Sequence, residues 1–199
     1  MAKKIVAIDG SYRRGGTIDQ AVQAAVGAAR AGGAEVQVFR LAEQNVLFCD
    51  NCRACAQAPG AKRGHCPLAD DMNVMLDAME AADGLIIAAP VNCFNVNALT
   101  RRFMERMTPY AYWPWGTMAP AMRLKPGAKK AVLITSSAMP SFFGRLATGA
   151  LRALKFIALG VGARTAGTLF IGLASMEPKP GLPARDRRLA ENLGRVLLK

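Results

Sequence analysis

Four cysteines fall in one short stretch, as Cys49-x-x-Cys52-x-x-Cys55 and then, after a gap of ten residues, Cys66; a fifth, Cys93, stands apart. Thiolates at C-x-x-C spacing can wrap an iron–sulfur cluster from a single loop. They can also hold zinc, with His65 or Cys66 completing the set, or serve as free redox-active thiols. In a cytosolic chain such clustering points to metal or redox chemistry before structural disulfides. All three readings stay open on the residues alone. His65 is the only histidine, and nothing pairs it with a nucleophile. No carboxylate or Ser/His/Asp arrangement suggests hydrolysis.

A second stretch suits anions. Asp9-Gly10-Ser11-Tyr12-Arg13-Arg14-Gly15-Gly16 lies between a short apolar run and a helix opened by Thr17. The unpaired N–H groups and the dipole at such a helix start favour a phosphate. Glycines let the backbone approach closely, Ser11 and Thr17 offer hydroxyls, and Arg13 adds charge. Gly-Lys-Ser/Thr is missing, so the loop is no Walker motif, and the dinucleotide glycine fingerprint is missing too. The alternative is a plain tight turn.

The elements that must position these residues follow from periodicity. Lys3 to Ile8 reads as a buried strand. The helix from Thr17 has the stripe Ile18, Ala21, Val22, Ala25, Val26 and Ala29, and Gly32-Gly33 ends it. Glu35 to Leu41 is a second strand, and residues 46–66 are a loop by composition. Asp70-Asp71 should cap a helix that faces Met72, Met75, Leu76 and Met79 inward. Gly84 to Ala89 is a strand ended by Pro90, and a polar loop from Val91 to Asn97 leads into a helix from Ala98 to Met107. After an irregular aromatic stretch (Tyr110 to Trp115, on to Pro126) come a strand at Lys129 to Thr135 and a helix from Phe142 to Leu159 with Leu146, Ala150, Leu151, Leu154 and Ile157 inward. A strand from Gly162 to Ile171 and a closing helix from Pro183 to Leu198, with Leu189, Leu193, Val196 and Leu197 inward, complete the chain. This rhythm predicts one α/β domain over residues 1–199: a doubly wound five-stranded parallel sheet, order 2-1-3-4-5, with helices on both faces. Ligands of such sheets bind beyond the carboxyl ends of the strands, between strands one and three. That places function on Gly10 to Thr17 and Pro90 to Asn97.

Gly10-Ser11-x-Arg13-x-x-Gly16-Thr17 resembles the phosphate loop of NADPH-dependent FMN reductases and related flavodoxin-like oxidoreductases. The cysteine run with Asp70-Asp71-Met72 resembles the branch that includes the iron–sulfur flavoproteins. Ala82-Asp83-Gly84 running into Ala89-Pro90-Val91 resembles the family's flavin-loop strand, and Ala98-Leu99-Thr100-Arg101-Arg102-Phe103 with Glu105-Arg106 resembles the helix after it. The resemblance covers roughly the first 110 residues. It implies FMN phosphate on Ser11, Arg13, Gly16, Thr17 and Ile18, and the flavin ring against Pro90, Val91, Asn92, Cys93, Phe94 and Asn95. Ser136 and Ser137, after the fourth strand, would add polar contacts. It also implies NAD(P)H as co-substrate and a small acceptor (a quinone, azo or nitro compound, or free flavin). An iron–sulfur cluster on Cys49, Cys52, Cys55 and Cys66, relaying electrons from a partner protein, is the alternative; a non-enzymatic metal or redox sensor is a third. Departures from the family pattern are Tyr12 for proline, Gly16 for asparagine, Asn92 for an aromatic residue, and a longer gap before Cys66. Phe94 or Trp113 could replace the missing aromatic wall. The family's habit of forming dimers or tetramers makes Tyr110 to Met122 a candidate contact stretch.

The formal charge of +12, from 26 basic and 14 acidic residues, attracts anions. The basic residues are scattered as pairs such as Lys3-Lys4, Lys62-Arg63 and Arg187-Arg188, with no basic block interleaved with aromatics. Phosphate-bearing small molecules are therefore expected rather than nucleic acid. With no run near the roughly 18 apolar residues that span a bilayer, a cytoplasmic protein without a membrane partner is the expectation.

Overall fold

The computed structural model describes residues 2–176 and 181–199. Its elements are β1 (Lys4–Asp9), α1 (Thr17–Ala31), β2 (Glu35–Arg40), α2 (Met72–Ala81), β3 (Gly84–Asn92), β4 (Asn95–Val96), α3 (Ala98–Glu105), β5 (Ala111–Tyr112), β6 (Ala121–Met122), β7 (Lys130–Ser136), α4 (Ser141–Ala147), α5 (Ala150–Gly160), β8 (Arg164–Ile171) and α6 (Ala184–Val196). The long strands are parallel in the order β2-β1-β3-β7-β8, which is the flavodoxin-like order expected. No helix among the described residues is long and apolar enough to cross a membrane.

Alternate residues of each strand feed two cores. Val6, Ile8, Leu85, Ile87 and Leu133 pack with α2, α3 and α5 on one face. Ile5, Ala7, Ile86, Ala88 and Val132 pack with α1 and α6 on the other. Strands covered on both faces need apolar side chains in both directions, which is why β1 and β3 read as unbroken apolar runs. The expected α1 stripe and the inward face of α2 are all buried. The last helix lies close on α1: a Cβ on Gly194 would come within 2.1 Å of the Ala25 carbonyl oxygen.

Four expectations change. The single helix from Phe142 is two, α4 and α5, broken at Thr148-Gly149, where the Gly149 N–H donates to the Phe94 carbonyl instead of continuing the helix. As a result Leu146 is 73% exposed rather than inward. At the closing helix Leu197 is buried and Leu193 and Val196 pack partly against the core as expected, but Leu189 is 40% exposed, and within α6 the fully buried positions are Ala190 and Gly194, because contact with α1 selects the small residues. Asp71 makes no side-chain cap on α2; its carboxylate takes the Asn45 N–H, and Asp70 accepts from the Met72 N–H. Pro90 does not end its strand. β3 runs through it, pairing Pro90 with Ser136, and then turns into a β3–β4 hairpin where a polar loop was expected. Two residues earlier the Ala88 carbonyl accepts from the Gly10 N–H, so by strand alternation Pro90 points its nitrogen to the side where β1 has already ended. Its missing N–H costs no ladder bond there.

Candidate functional site

The site is built at the carboxyl ends of adjacent strands. Asp9 is opposite Ala88 across β1 and β3, and Pro90 is opposite Ser136 across β3 and β7. The phosphate-loop candidates, the hairpin candidates and the serine pair therefore share one edge of the sheet.

The first loop is set by short contacts. Ser11 N–H donates to Asp9 Oδ1 (2.8 Å), Arg13 N–H to Ser11 Oγ (3.2 Å), Ser11 Oγ–H to the Arg13 carbonyl (3.0 Å), and Gly16 N–H to the same carbonyl (3.3 Å). Ser11 thus spends its hydroxyl within the loop. Gly16 is the extended residue before α1 and gives it no side-chain cap, so the first N–H groups of the helix, including those of Thr17 and Ile18, have no intrahelical acceptor. Thr17 and Ile18 are buried, and Arg13 is exposed. Gly10 sits where a side chain has no room: a Cβ there would lie 2.1 Å from Thr100 Oγ1 and 3.0 Å from the Ala88 carbonyl oxygen.

Buried charge underlies this loop, and no feature of the sequence singled it out. Arg40 reaches Asp19 at 2.5 Å, Asp9 at 3.2 Å and Glu43 at 3.0 Å. Burial pushes the Asp9 carboxyl up to about 6, against the lowering pull of the Ser11 N–H and Arg40. Burial would raise Asp19 too, but the Gly15 N–H and Arg40 hold it below its ordinary value.

In the second loop, the turn residues Cys93 and Phe94 both have positive φ (47° and 63°), as a two-residue hairpin with the right-handed strand twist requires. Both side chains are exposed; Asn92 is exposed, and Pro90 and Val91 are half-buried. Asn95 turns its side-chain oxygen back to the Val96 N–H. Ser136 and Ser137 are buried, and Ser137 donates its hydroxyl to the Met139 carbonyl.

The cysteine loop packs against the aromatic stretch through arginines that serve main-chain carbonyls. Arg53 lies between Trp113 (3.8 Å) and Trp115 (4.2 Å), with an Nη2–H to the Trp113 carbonyl. Trp113 is thereby a clasp for Arg53. Arg123 donates to the carbonyls of Pro109, Ala111, Gly60, Cys55 and Ala58. Of the proposed contact stretch, Tyr110 is fully buried, while Trp115, Met118 and Met122 are exposed. Arg106, buried at the end of α3, forms a two-pronged ion pair with Asp70 (2.5 and 3.2 Å), donates to the Leu47 carbonyl, and has Nη2 3.5 Å from Cys66 Sγ. Burial opposes the charge on Asp70, but Arg106 and the N–H groups of Leu47 and Met72 hold its carboxyl below the usual range.

The four thiols share a neighbourhood. Burial pushes Cys55 up to about 11, and Cys66, Cys49 and Cys52 act on it in the same direction. Cys52 is exposed, and Cys49 and Cys66 are half-buried. Among the described residues, however, no group of three or more His, Cys, Asp or Glu side chains is arranged to hold a metal ion. The donor chemistry suits a cluster; the arrangement does not close around one.

Known proteins share this architecture and parts of the sequence. An FMN-dependent NADH-azoreductase from Bacillus anthracis, solved with FMN, superposes with a TM-score of 0.69 over 100% of both chains at 12% identity. An NAD(P)H:quinone oxidoreductase from Methanothermobacter marburgensis does so with a TM-score of 0.68 over 100% of this chain and 98% of that one, at 17% identity. At these identities the likeness shows the fold. An iron–sulfur flavoprotein of Archaeoglobus fulgidus is 32% identical over 111 residues, which cover 56% of this chain and 48% of that protein. The chain thus spans about half the length of the curated relatives it matches. The family model for NADPH-dependent FMN reductase matches residues 3–173, and the chain belongs to that family.

Proposed function

We propose that the chain binds FMN across the two loops and uses it to pass electrons from NAD(P)H to a small acceptor such as a quinone or azo compound. The observation that carries this reading is the uncapped start of α1 beneath a glycine-bearing loop, set beside the β3–β4 hairpin on adjacent strands. Buried N–H groups without acceptors favour a dianionic phosphate, and the close approach of Gly10 to Thr100 and the Ala88 carbonyl leaves that turn no room for a side chain. Thr17, Ile18 and the Gly16 backbone would hold the phosphate, with exposed Arg13 free to close over it. Pro90 and Val91 would give the flavin ring a half-buried apolar edge, and the turn at Cys93 and Phe94 would bound it. FMN, when bound, would supply hydride acceptance and electron release. The protein's part is to fix the ring, exclude water from one side and leave the other open to nicotinamide and acceptor in turn.

The test is titration of the flavin-free protein with FMN and riboflavin by flavin fluorescence, followed by NADPH or NADH with a quinone. Expected are tighter binding of FMN than of riboflavin, bleaching of the bound flavin by reduced nicotinamide, and acceptor-dependent turnover. Absence of FMN binding would overturn the proposal. A second reading, an iron–sulfur flavoprotein relaying electrons from a partner protein, is favoured by the similarity to curated iron–sulfur flavoproteins and by Cys49, Cys52 and Cys66 near Cys55, although the cysteines do not close around a metal among the described residues. Iron and sulfide analysis of anaerobically purified protein decides it, with stoichiometric amounts for a cluster and none for free thiols.

A further inference from the structure

We propose that Asn97 is a positioning residue for FMN: its side chain locks the phosphate loop to the flavin hairpin and so sets the distance between the two halves of the site. The inference rests on the FMN reading above.

Asn97 follows β4 directly, caps α3 and is 1% exposed. All of its polar capacity faces inward. Nδ2 donates to the Gly10 carbonyl at 2.6 Å, and Oδ1 accepts from the Thr100 N–H (3.2 Å) and the Thr100 hydroxyl (2.7 Å). The Gly10–Ser11 peptide is consequently held on both edges: its oxygen by Asn97, its N–H by Asp9 Oδ1. The peptide before it is fixed as well, because Gly10 N–H donates to the Ala88 carbonyl at 2.8 Å. A peptide plane held at both edges cannot rotate, so the chain from Tyr12 to Gly16 leaves in one direction and the free N–H groups of α1 face one place. The hairpin's last residue, Val96, directly precedes the one that makes this contact. One side chain therefore relates the phosphate loop to the flavin loop more directly than the sheet beneath them does.

A ligand that engages both loops at once is sensitive to their relative placement, since small misplacements are costly for a rigidly bound group. A ligand without the phosphate uses mainly the hairpin and is not. The signature of a positioning role is thus the ratio of FMN to riboflavin affinity, which a general loss of stability would leave unchanged.

Asn97→Ser keeps a good helix cap without adding charge and loses the reach to Gly10. FMN affinity should fall about tenfold, the worth of one buried hydrogen bond, with riboflavin affinity changed less than about twofold. Asn97→Asp keeps the cap but sets a buried carboxylate oxygen against the Gly10 carbonyl, so FMN affinity should fall further than in Asn97→Ser and the melting temperature should drop as well. An unchanged FMN affinity in Asn97→Ser, or an equal fall for both flavins, would overturn the proposal. If the wild type binds neither flavin, the FMN reading itself fails and this inference goes with it.

Discussion

Replacing Arg106 with methionine tests whether the cysteine loop is tied to the body of the protein through one buried ion pair. The guanidinium and the Asp70 carboxylate are 1% and 0% exposed and meet at 2.5 Å. Methionine fills much of the volume but leaves the carboxylate buried with only the Leu47 and Met72 N–H groups, at 2.7 and 3.1 Å. Breaking one side of a buried pair costs about 3–5 kcal/mol. The two surviving hydrogen bonds put this case near about 3 kcal/mol, which at a urea slope of roughly 2–3 kcal/mol per molar moves the unfolding midpoint down by about 1 M. Tryptophan fluorescence is a suitable probe, since Trp113 and Trp115 pack on Arg53 of the same loop. Adding Asp70→Asn removes the stranded charge, so the double variant should be more stable than the sum of the single effects predicts, by about 2 kcal/mol. The pH dependence has a definite sign. Asp70 lies below its ordinary value in the folded protein, so its stabilisation is present above the ordinary carboxylate range and lost as pH falls through the lowered value. The gap between wild type and Arg106→Met should accordingly be full near neutrality and narrow in acid. A cost below about 1 kcal/mol, strict additivity with Asp70→Asn, or a gap independent of pH would each refute the reasoning.

Three further outcomes are expected. Gly10→Ala should destabilise by about 1–3 kcal/mol, and Thr100→Ala should partly rescue it, since the Thr100 hydroxyl is the nearest obstacle at 2.1 Å; thermal unfolding of the two single variants and the double variant checks this. Asp9, raised from 3.8 to about 6, favours the fold fully below pH 4 and loses that contribution, at most about 3 kcal/mol, as pH rises through 6. Asp9→Asn, which keeps an acceptor for the Ser11 N–H, should flatten the stability profile between pH 4 and 7 in urea titrations. Replacing Cys93-Phe94 with Asn-Gly relieves two positive-φ residues and should stabilise by about 1–2 kcal/mol, read as a higher melting temperature.

The sequence by itself determined the sheet and brought the two candidate loops to one edge of it. Unbroken apolar runs at Ile5–Ile8 and Leu85–Ala89 can only be strands covered on both faces, and helical stripes between parallel strands leave little choice of topology. A glycine-rich turn ahead of the Ile18, Ala21, Val22 stripe marked the candidate phosphate loop because helix starts carry free N–H groups wherever they occur. Those are properties of neighbours in the chain. What only the tertiary structure decided are contacts between distant residues: Asn97 on Gly10, Arg40 between Asp9 and Asp19, Arg106 on Asp70 and Cys66. Asn97 carried a legible signal, a good cap residue ahead of a helix, but its other hydrogen bond spans 87 positions. Pro90 misled because a proline stops a strand only where the ladder needs its N–H, and whether a partner strand is still alongside is not written locally. Leu146 and Leu189 misled for the same reason: apolar spacing says which face of a helix is greasy, and the packing of α4 and α6 decides how much of that face is covered.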